Sequence, residues 1–222
     1  MIVVYTAMFA ENGRQYDNMA EPEHVVRDGS VEYYYFTNCQ MSSDVWTIVD
    51  IENNILSGRR ASRWIKTHPF ILFPDADFVL WHGGNVSLRI DPHDLLKFLG
   101  DNDTAILKHP IRNCVYKEFG WCGALDVGKI INAQKARYRA EGYPENNGLV
   151  AANLILRKNS IEARKLSRAW WGEIARGSHR DQLSFNYTSW KTGIPFSTIP
   201  YIGDFIDNDI YKKGPHRSRK LR

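Results

Sequence analysis

Apolar and polar positions along this chain come in short blocks, and the period within each block predicts its element. IVVYTA (2–7), VEYYYF (31–36) and VWTIVDI (45–51) are runs rich in β-branched and aromatic residues, as strands are. FVLWH (78–82), VSLRI (86–90), TAILKH (104–109) and IPFSTI (194–199) add four more, and GLVAANLILR (148–157) is apolar enough for a central strand. Helical blocks fall between them. RRASRWIKTH (59–68) ends before Pro69, because a residue preceding proline resists the α conformation. DPHDLLKFLG (91–100) is a small helix with Asp91 as N-cap, Pro92 in the first turn and Gly100 past the end. DVGKIINAQKARYRAEG (126–142) closes at Gly142. SIEARKLSRAWWGEIARG (160–177) puts Ile161, Leu166, Trp170 and Ile174 near helical spacing, capped by Ser160 and stopped by Gly177. RDQLSFNYTSWKTG (180–193) completes the set.

Strands separated by helices predict an α/β fold: one central, mixed but mostly parallel sheet of about six to eight strands, flanked by helices. Sheets of this kind bind ligands beyond the carboxyl ends of their strands, where the strand order switches. Neither G-x-G-x-x-G nor G-x-x-x-x-G-K-[ST] occurs, which argues against a dinucleotide-binding Rossmann site and a P-loop.

Composition adds limits. The 222 residues suit a single domain over 1–210, with a basic tail or linker start over 211–222. No run of eighteen apolar residues exists, so no membrane span is expected. The apolar start MIVVYTAMFA lacks a basic leader and a small-residue cleavage site, and so predicts a buried first strand. Cys39, Cys114 and Cys122 are odd in number and never spaced C-x-x-C. That argues against a disulfide framework and a structural zinc, and suits a reducing, cytoplasmic location. The net charge is +4, but six basic residues sit in the last eleven, KKGPHRSRKLR. The remainder carries 23 of the 29 basic residues against 25 acidic ones, so no nucleic-acid partner is expected.

The order of segments is distinctive. VVYTAMF, FTN, RRASRWIKTHPFILFP, a W-x-x-G-N turn, a DP-initiated helix, HP-x-R-x-C-x-Y-x-E, GL-x(6)-LR and RDQLSF follow one another over about residues 2–205. This series resembles the DUF616 group of glycosyltransferase-like proteins, with particular similarity to the small glycosyltransferase domain encoded by chlorella viruses. The resemblance implies a single GT-A-like domain, a UDP-sugar donor and a Mn²⁺ or Mg²⁺ ion. It further implies transfer of a hexose or deoxyhexose to a hydroxyl of a glycan or glycoprotein acceptor, with further domains where the chain is part of a longer one. The alternative is a non-catalytic UDP-sugar or carbohydrate-binding module on the same fold, fed by a departure at the strand end described next.

Candidate residues follow. Asp75 and Asp77 form a D-x-D before FVLW, and carboxylates at i and i+2 in a turn suit a hard divalent cation on a diphosphate. A polar turn after Pro74 explains the same residues. In GT-A proteins the metal motif usually follows the strand. There this chain reads Trp81-His82-Gly83-Gly84-Asn85, with Gly83 where many relatives carry aspartate. His82 and Asn85 therefore stand as a second donor-binding candidate, and Asp77, with Asp75, as the metal and catalytic candidate. The resemblance adds His216 as a late metal ligand and Asp181 as general base on the acceptor, although an N-cap accounts for Asp181 equally. Arg60, Arg63 and Lys66 recur along one helix as a diphosphate clamp, or as a solvated face. Gly148, in Asn147-Gly148-Leu149, matches a turn whose amides approach the donor sugar, and Thr6 and Ala7 fall where uracil and ribose bind in the GT-A fold.

Overall fold

A computed structural model describes residues 1–10, 17–52, 56–122 and 127–215. The chain runs β1 (Ile2–Met8), β2 (Val31–Thr37), β3 (Thr47–Asp50), α1 (Gly58–Thr67), α2 (Pro69–Leu72), β4 (Phe78–His82) and β5 (Val86–Leu88). A 3-10 segment over Pro92–Phe98 follows, then β6 (Thr104–Lys108), α3 (Val115–Cys122), α4 (Gly128–Ala140), β7 (Val150–Lys158) and α5 (Ile161–Arg176). A 3-10 turn at Asp181–Leu183, α6 (Phe185–Thr192), β8 (Ser197–Ile199) and β9 (Tyr211–Lys213) complete it.

Seven strands form the central sheet in the order β3-β2-β1-β4-β7-β6-β8. All neighbouring pairs are parallel except those made by β7, which runs against both β4 and β6. This α/β layering, a mostly parallel sheet with helices on its faces, is that of a single GT-A-like domain. Strand alternation assigns the two faces. Val3, Tyr5, Val79, Trp81 and Ile155 pack with Ile65 of α1 and Leu166, Trp170 and Ile174 of α5. Ile2, Val4, Leu80, Leu154 and Leu156 pack on the other face with Trp46, Leu95 and Leu99. A third cluster, with Tyr138 and Tyr187 stacked at 3.6 Å, joins α3, α4 and α6. Among the described residues no helix is long and apolar enough to cross a membrane.

Three expectations change in detail. Residues 91–100 form a 3-10 segment rather than an α-helix, although Asp91 caps it as expected by accepting from the His93 amide at 2.9 Å. VSLRI does not join the central sheet: Val86–Leu88 pairs antiparallel with Tyr211–Lys213 in a separate ribbon. The first residues of the expected tail, 211–213, therefore belong to the folded domain, because their backbone groups are satisfied by β5.

The strand order turns between β1 and β4, since β2 and β3 lie on one side of β1 and the later strands on the other. The carboxyl ends of β1, β4 and β6 and the amino end of the reversed β7 thus share one edge. The helix stop at Gly177 sets the path of the chain back toward that edge. Its amide donates to Glu173 O at 2.9 Å, and Ser178 N donates to Gln134 Oε1 at 2.9 Å. A Cβ at 177 would lie 2.7 Å from Gln134 Oε1 and 2.8 Å from Glu173 O. Gly177→Ala should therefore cost about 1–3 kcal/mol in urea unfolding, the usual penalty for overpacking. An unchanged midpoint would show that the turn relaxes freely.

Candidate functional site

A cleft of about 680 Å³ opens at the shared strand edge. Its floor is the end of β1 (Ala7, Met8), the end of β4 with its turn (Trp81, Gly83 to Asn85) and the start of β7 (Ala151 to Asn153). One wall is α1. Arg59, Ser62, Arg63 and Lys66, at i, i+3, i+4 and i+7, present a single helical face to it. The segment His179–Gln182 forms the facing wall, and Asp17, His109, Phe205 and Lys213 also line the cleft.

Lys66 is the most deeply buried of the cations lining the cleft, with only 3% of its surface exposed. The Lys66 and Arg157 residues of α1 and β7 are fixed first by the backbone. Tyr5 Oη and Arg157 Nη1 both donate to Lys66 O, each at 2.8 Å, which seats the end of α1 on the sheet. The ammonium then donates to Ala152 O at 2.8 Å and to Asp181 Oδ2, and lies 4.9 Å from the Trp81 ring centroid. Burial pulls the Lys66 pKa down and the Asp181 charge restores part of it, leaving it at about 7. Asp181, 5% exposed, sits in the 3-10 turn, where Trp170 Nε1 donates to its backbone oxygen at 3.0 Å. Arg63 Nε lies 3.1 Å from Asp181 Oδ2, an ion pair without hydrogen-bond alignment. Burial alone would raise the Asp181 pKa, but Arg63 and Lys66 outweigh it and hold the carboxyl at about 2.

A carboxylate held that low, with one oxygen shared by two cations and the other accepting from Gln182 N at 3.0 Å, is a weak proton acceptor. In this arrangement Asp181 holds Lys66 and Arg63 in place.

The other expected residues divide. Ala7, Arg63, Lys66, Asn85 and Asp181 come together in the cleft. Arg60 does not: its guanidinium donates to Ile174 O at 2.5 Å, Ala175 O at 3.2 Å and Gly177 O at 2.8 Å, capping α5 from outside the cleft. Thr6 is buried and donates to His82 O at 2.7 Å, tying β1 to β4. His82 points to the opposite face of the sheet, its ring 5.3 Å from that of Trp46, where burial lowers its pKa to about 4. Gly148, at φ +77°, supports the turn before β7 without lining the cleft. Asp75 and Asp77 stand at the amino end of β4, the wrong edge for the cleft. The Asp77 side chain is 69% exposed and pairs with the amino terminus. His216 lies outside the described residues.

Residues 28–199 match the family described as TOD1/MUCI70, glycosyltransferase-like domain. The chain belongs to the TOD1/MUCI70 family. A curated relative, the probable hexosyltransferase MUCI70 of Arabidopsis thaliana, is 25% identical over 221 aligned positions, covering 83% of this chain and 36% of the relative. The chain thus spans about a third of that relative's length. The TOD1/MUCI70 match includes α1, β4, β7 and the Asp181 turn, and so both members of the Lys66–Asp181 pair, while Tyr5 of β1 lies before it.

Sequence reasoning missed Arg59, Arg180, Lys213 and Asp17 as cleft residues. Arg59 was legible: the i, i+3, i+4, i+7 rule over 59, 62, 63 and 66 selects it and rejects Arg60. Lys213 and Asp17 come from segments brought in by long-range pairing, which local pattern does not report. Nor do the described residues of the cleft by themselves form a site for the expected Mn²⁺ or Mg²⁺. Among the described residues no group of three His, Cys, Asp or Glu side chains is placed to hold a metal. Of the two carboxylates described in the cleft, Asp181 is committed to Lys66 and Arg63.

Two outcomes follow for this member of the family. Arg60→Ala should cost about 1.5–3 kcal/mol in chemical unfolding, as loss of charged hydrogen bonds does, and leave nucleotide affinity unchanged. A drop in affinity at equal stability would return Arg60 to the cleft. Asp181→Asn should cost about 3–5 kcal/mol by leaving Lys66 buried without a counter-charge, and adding Lys66→Met should recover much of it. The wild-type folded carboxyl titrates at about 2, against 3.8 when free. Its stabilising share is thus present above about pH 4 and fades as pH falls toward 2, and Asp181→Asn should lack this part of the acid slope. A stable Asp181→Asn protein would overturn the pairing role.

Proposed function

We propose that this domain is a glycosyltransferase that takes a hexose from a UDP-hexose donor and transfers it to a hydroxyl of a glycan acceptor. The observation that carries the reading is the charge of the cleft. Among the described residues, five basic side chains, Arg59, Arg63, Lys66, Arg180 and Lys213, face two carboxylates at the strand-order switch, in a member of a glycosyltransferase-like family. A diphosphate is the part of a nucleotide sugar that such a site suits, because charged N–H donors match phosphate oxygens. The hexose follows from the name of the Arabidopsis relative, and the uridine from the resemblance set out above.

In the reaction, the acceptor oxygen bonds to the anomeric carbon as the bond from that carbon to the β-phosphate oxygen breaks. The diphosphate leaves with the electron pair, and the acceptor's hydroxyl proton passes to the departing phosphate oxygen. Negative charge therefore grows on the phosphate in the transition state, and fixed cations aimed there lower the barrier. Arg59 and Arg63 on the wall of α1 are assigned to the phosphates. The small floor residues Ala151 and Ala152 leave room for the sugar, and Asn153 offers it a polar edge. The free thiols of Cys39, Cys114 and Cys122 suit a reducing compartment, and we assign the domain to the cytoplasm.

The test is UDP release from a panel of UDP-hexoses, with and without oligosaccharide acceptors. Turnover of at least one donor is expected, with Arg63→Gln lowering UDP affinity by about tenfold or more. Tight UDP-hexose binding without release under any acceptor would point instead to the non-catalytic module. Absence of nucleotide binding would overturn both.

A further inference from the structure

We infer that this cleft grips the donor diphosphate with its own cations and needs no divalent metal ion to do so. The inference rests on the donor reading above and concerns how that donor is held.

The observation behind it is the distribution of charge at the strand end. The turn after β4 begins with Gly83 and Gly84, so it offers no carboxylate to a cation. The Asp181 carboxylate is buried, and its Oδ2 meets Lys66 Nζ and, at 3.1 Å, Arg63 Nε. A metal ion taking that carboxylate would strip Lys66 of its counter-charge in a site with only 3% exposure, which is costly. Asp17, the other described carboxylate of the cleft, lies close enough to Lys213 for their charges to act on each other. Among the described residues of the cleft, Asp181 is thus committed to Lys66 and Arg63, and cations outnumber carboxylates. A divalent ion entering here meets repulsion; a diphosphate meets complementary charge. Guanidinium groups supply what the ion would: paired N–H donors to phosphate oxygens and positive charge where the leaving group gathers its electrons.

Isothermal titration of the full chain with UDP and with UMP, each in EDTA and in Mn²⁺, tests this. We expect the UDP affinity in EDTA to match that in Mn²⁺ within about twofold, and UDP to bind at least about tenfold tighter than UMP in EDTA. Arg59→Gln and Arg180→Gln should each weaken UDP by about tenfold or more while leaving UMP nearly unchanged. The UMP arm separates loss of the clamp from loss of the fold. UDP binding that appears only with Mn²⁺ overturns the inference and leaves the donor reading intact. UDP no tighter than UMP in EDTA also overturns it. Failure of both nucleotides under every condition overturns the donor reading and this inference with it.

Discussion

The cleft is organised around one buried ion pair, Lys66 with Asp181. Two charges withdrawn from water cost several kcal/mol each, and their attraction compensates only when the remaining donors and acceptors are satisfied. Here they are. The ammonium also reaches Ala152 O at 2.8 Å, and the carboxylate also accepts from Gln182 N at 3.0 Å. These partners come from α1, from β7 and from the 3-10 turn after α5. The pair therefore fixes three separate stretches of chain relative to one another, and misplacing any of them leaves a charge unpaired. Rigidity at the cleft wall follows from that electrostatic requirement, and Arg63 inherits it because the same carboxylate oxygen orients its guanidinium.

The strands and long helices were legible because their determinants are local. A hydrophobic run of the right period gives β1, β4 and β7, and Ser160 and Gly177 bracket α5 as their cap and stop chemistry requires. The ribbon of β5 with β9 was half legible, since VSLRI was readable as a strand but its partner stands about 120 residues later. Nothing local reports such a pairing. α3 was missed because its sequence begins without a capping residue, close behind Pro110, and its apolar face is completed by α4 and the Asp181 turn.

The site was less legible than the fold, and the reason is direction. Asp75 and Asp77 look like cation ligands in the sequence, yet a strand has two ends and the motif stands at the amino end of β4. The parallel pairing of β4 with β1 then decides the matter, since it sends their carboxyl ends to one edge and Asp77 to the other. Strand boundaries alone carried that doubt, and the sheet order turns it into a placement. Arg60 failed for a related reason. One residue along a helix is a turn of about 100°, which is enough to move a guanidinium from a ligand cleft to the carbonyls that end α5.

The near balance of charge outside the basic tail also misdirects. Spread evenly, 23 basic and 25 acidic residues would give no phosphate-binding surface. Folding does not spread them evenly. Acidic residues such as Glu173 and Glu141 are consumed by pairs with Arg137 and Arg176, and with Lys191, away from the cleft, and Glu118 behind the cleft wall is held by Arg112 and Gln182. The helical period meanwhile turns Arg59, Arg63 and Lys66 inward together. β9 adds Lys213, from the basic end of the chain left out of that balance, to the same edge. A protein close to neutral as a sum thus presents a positive cleft. What selects an anionic ligand is the local excess, set by topology, and a diphosphate entering the cleft meets that excess rather than the average.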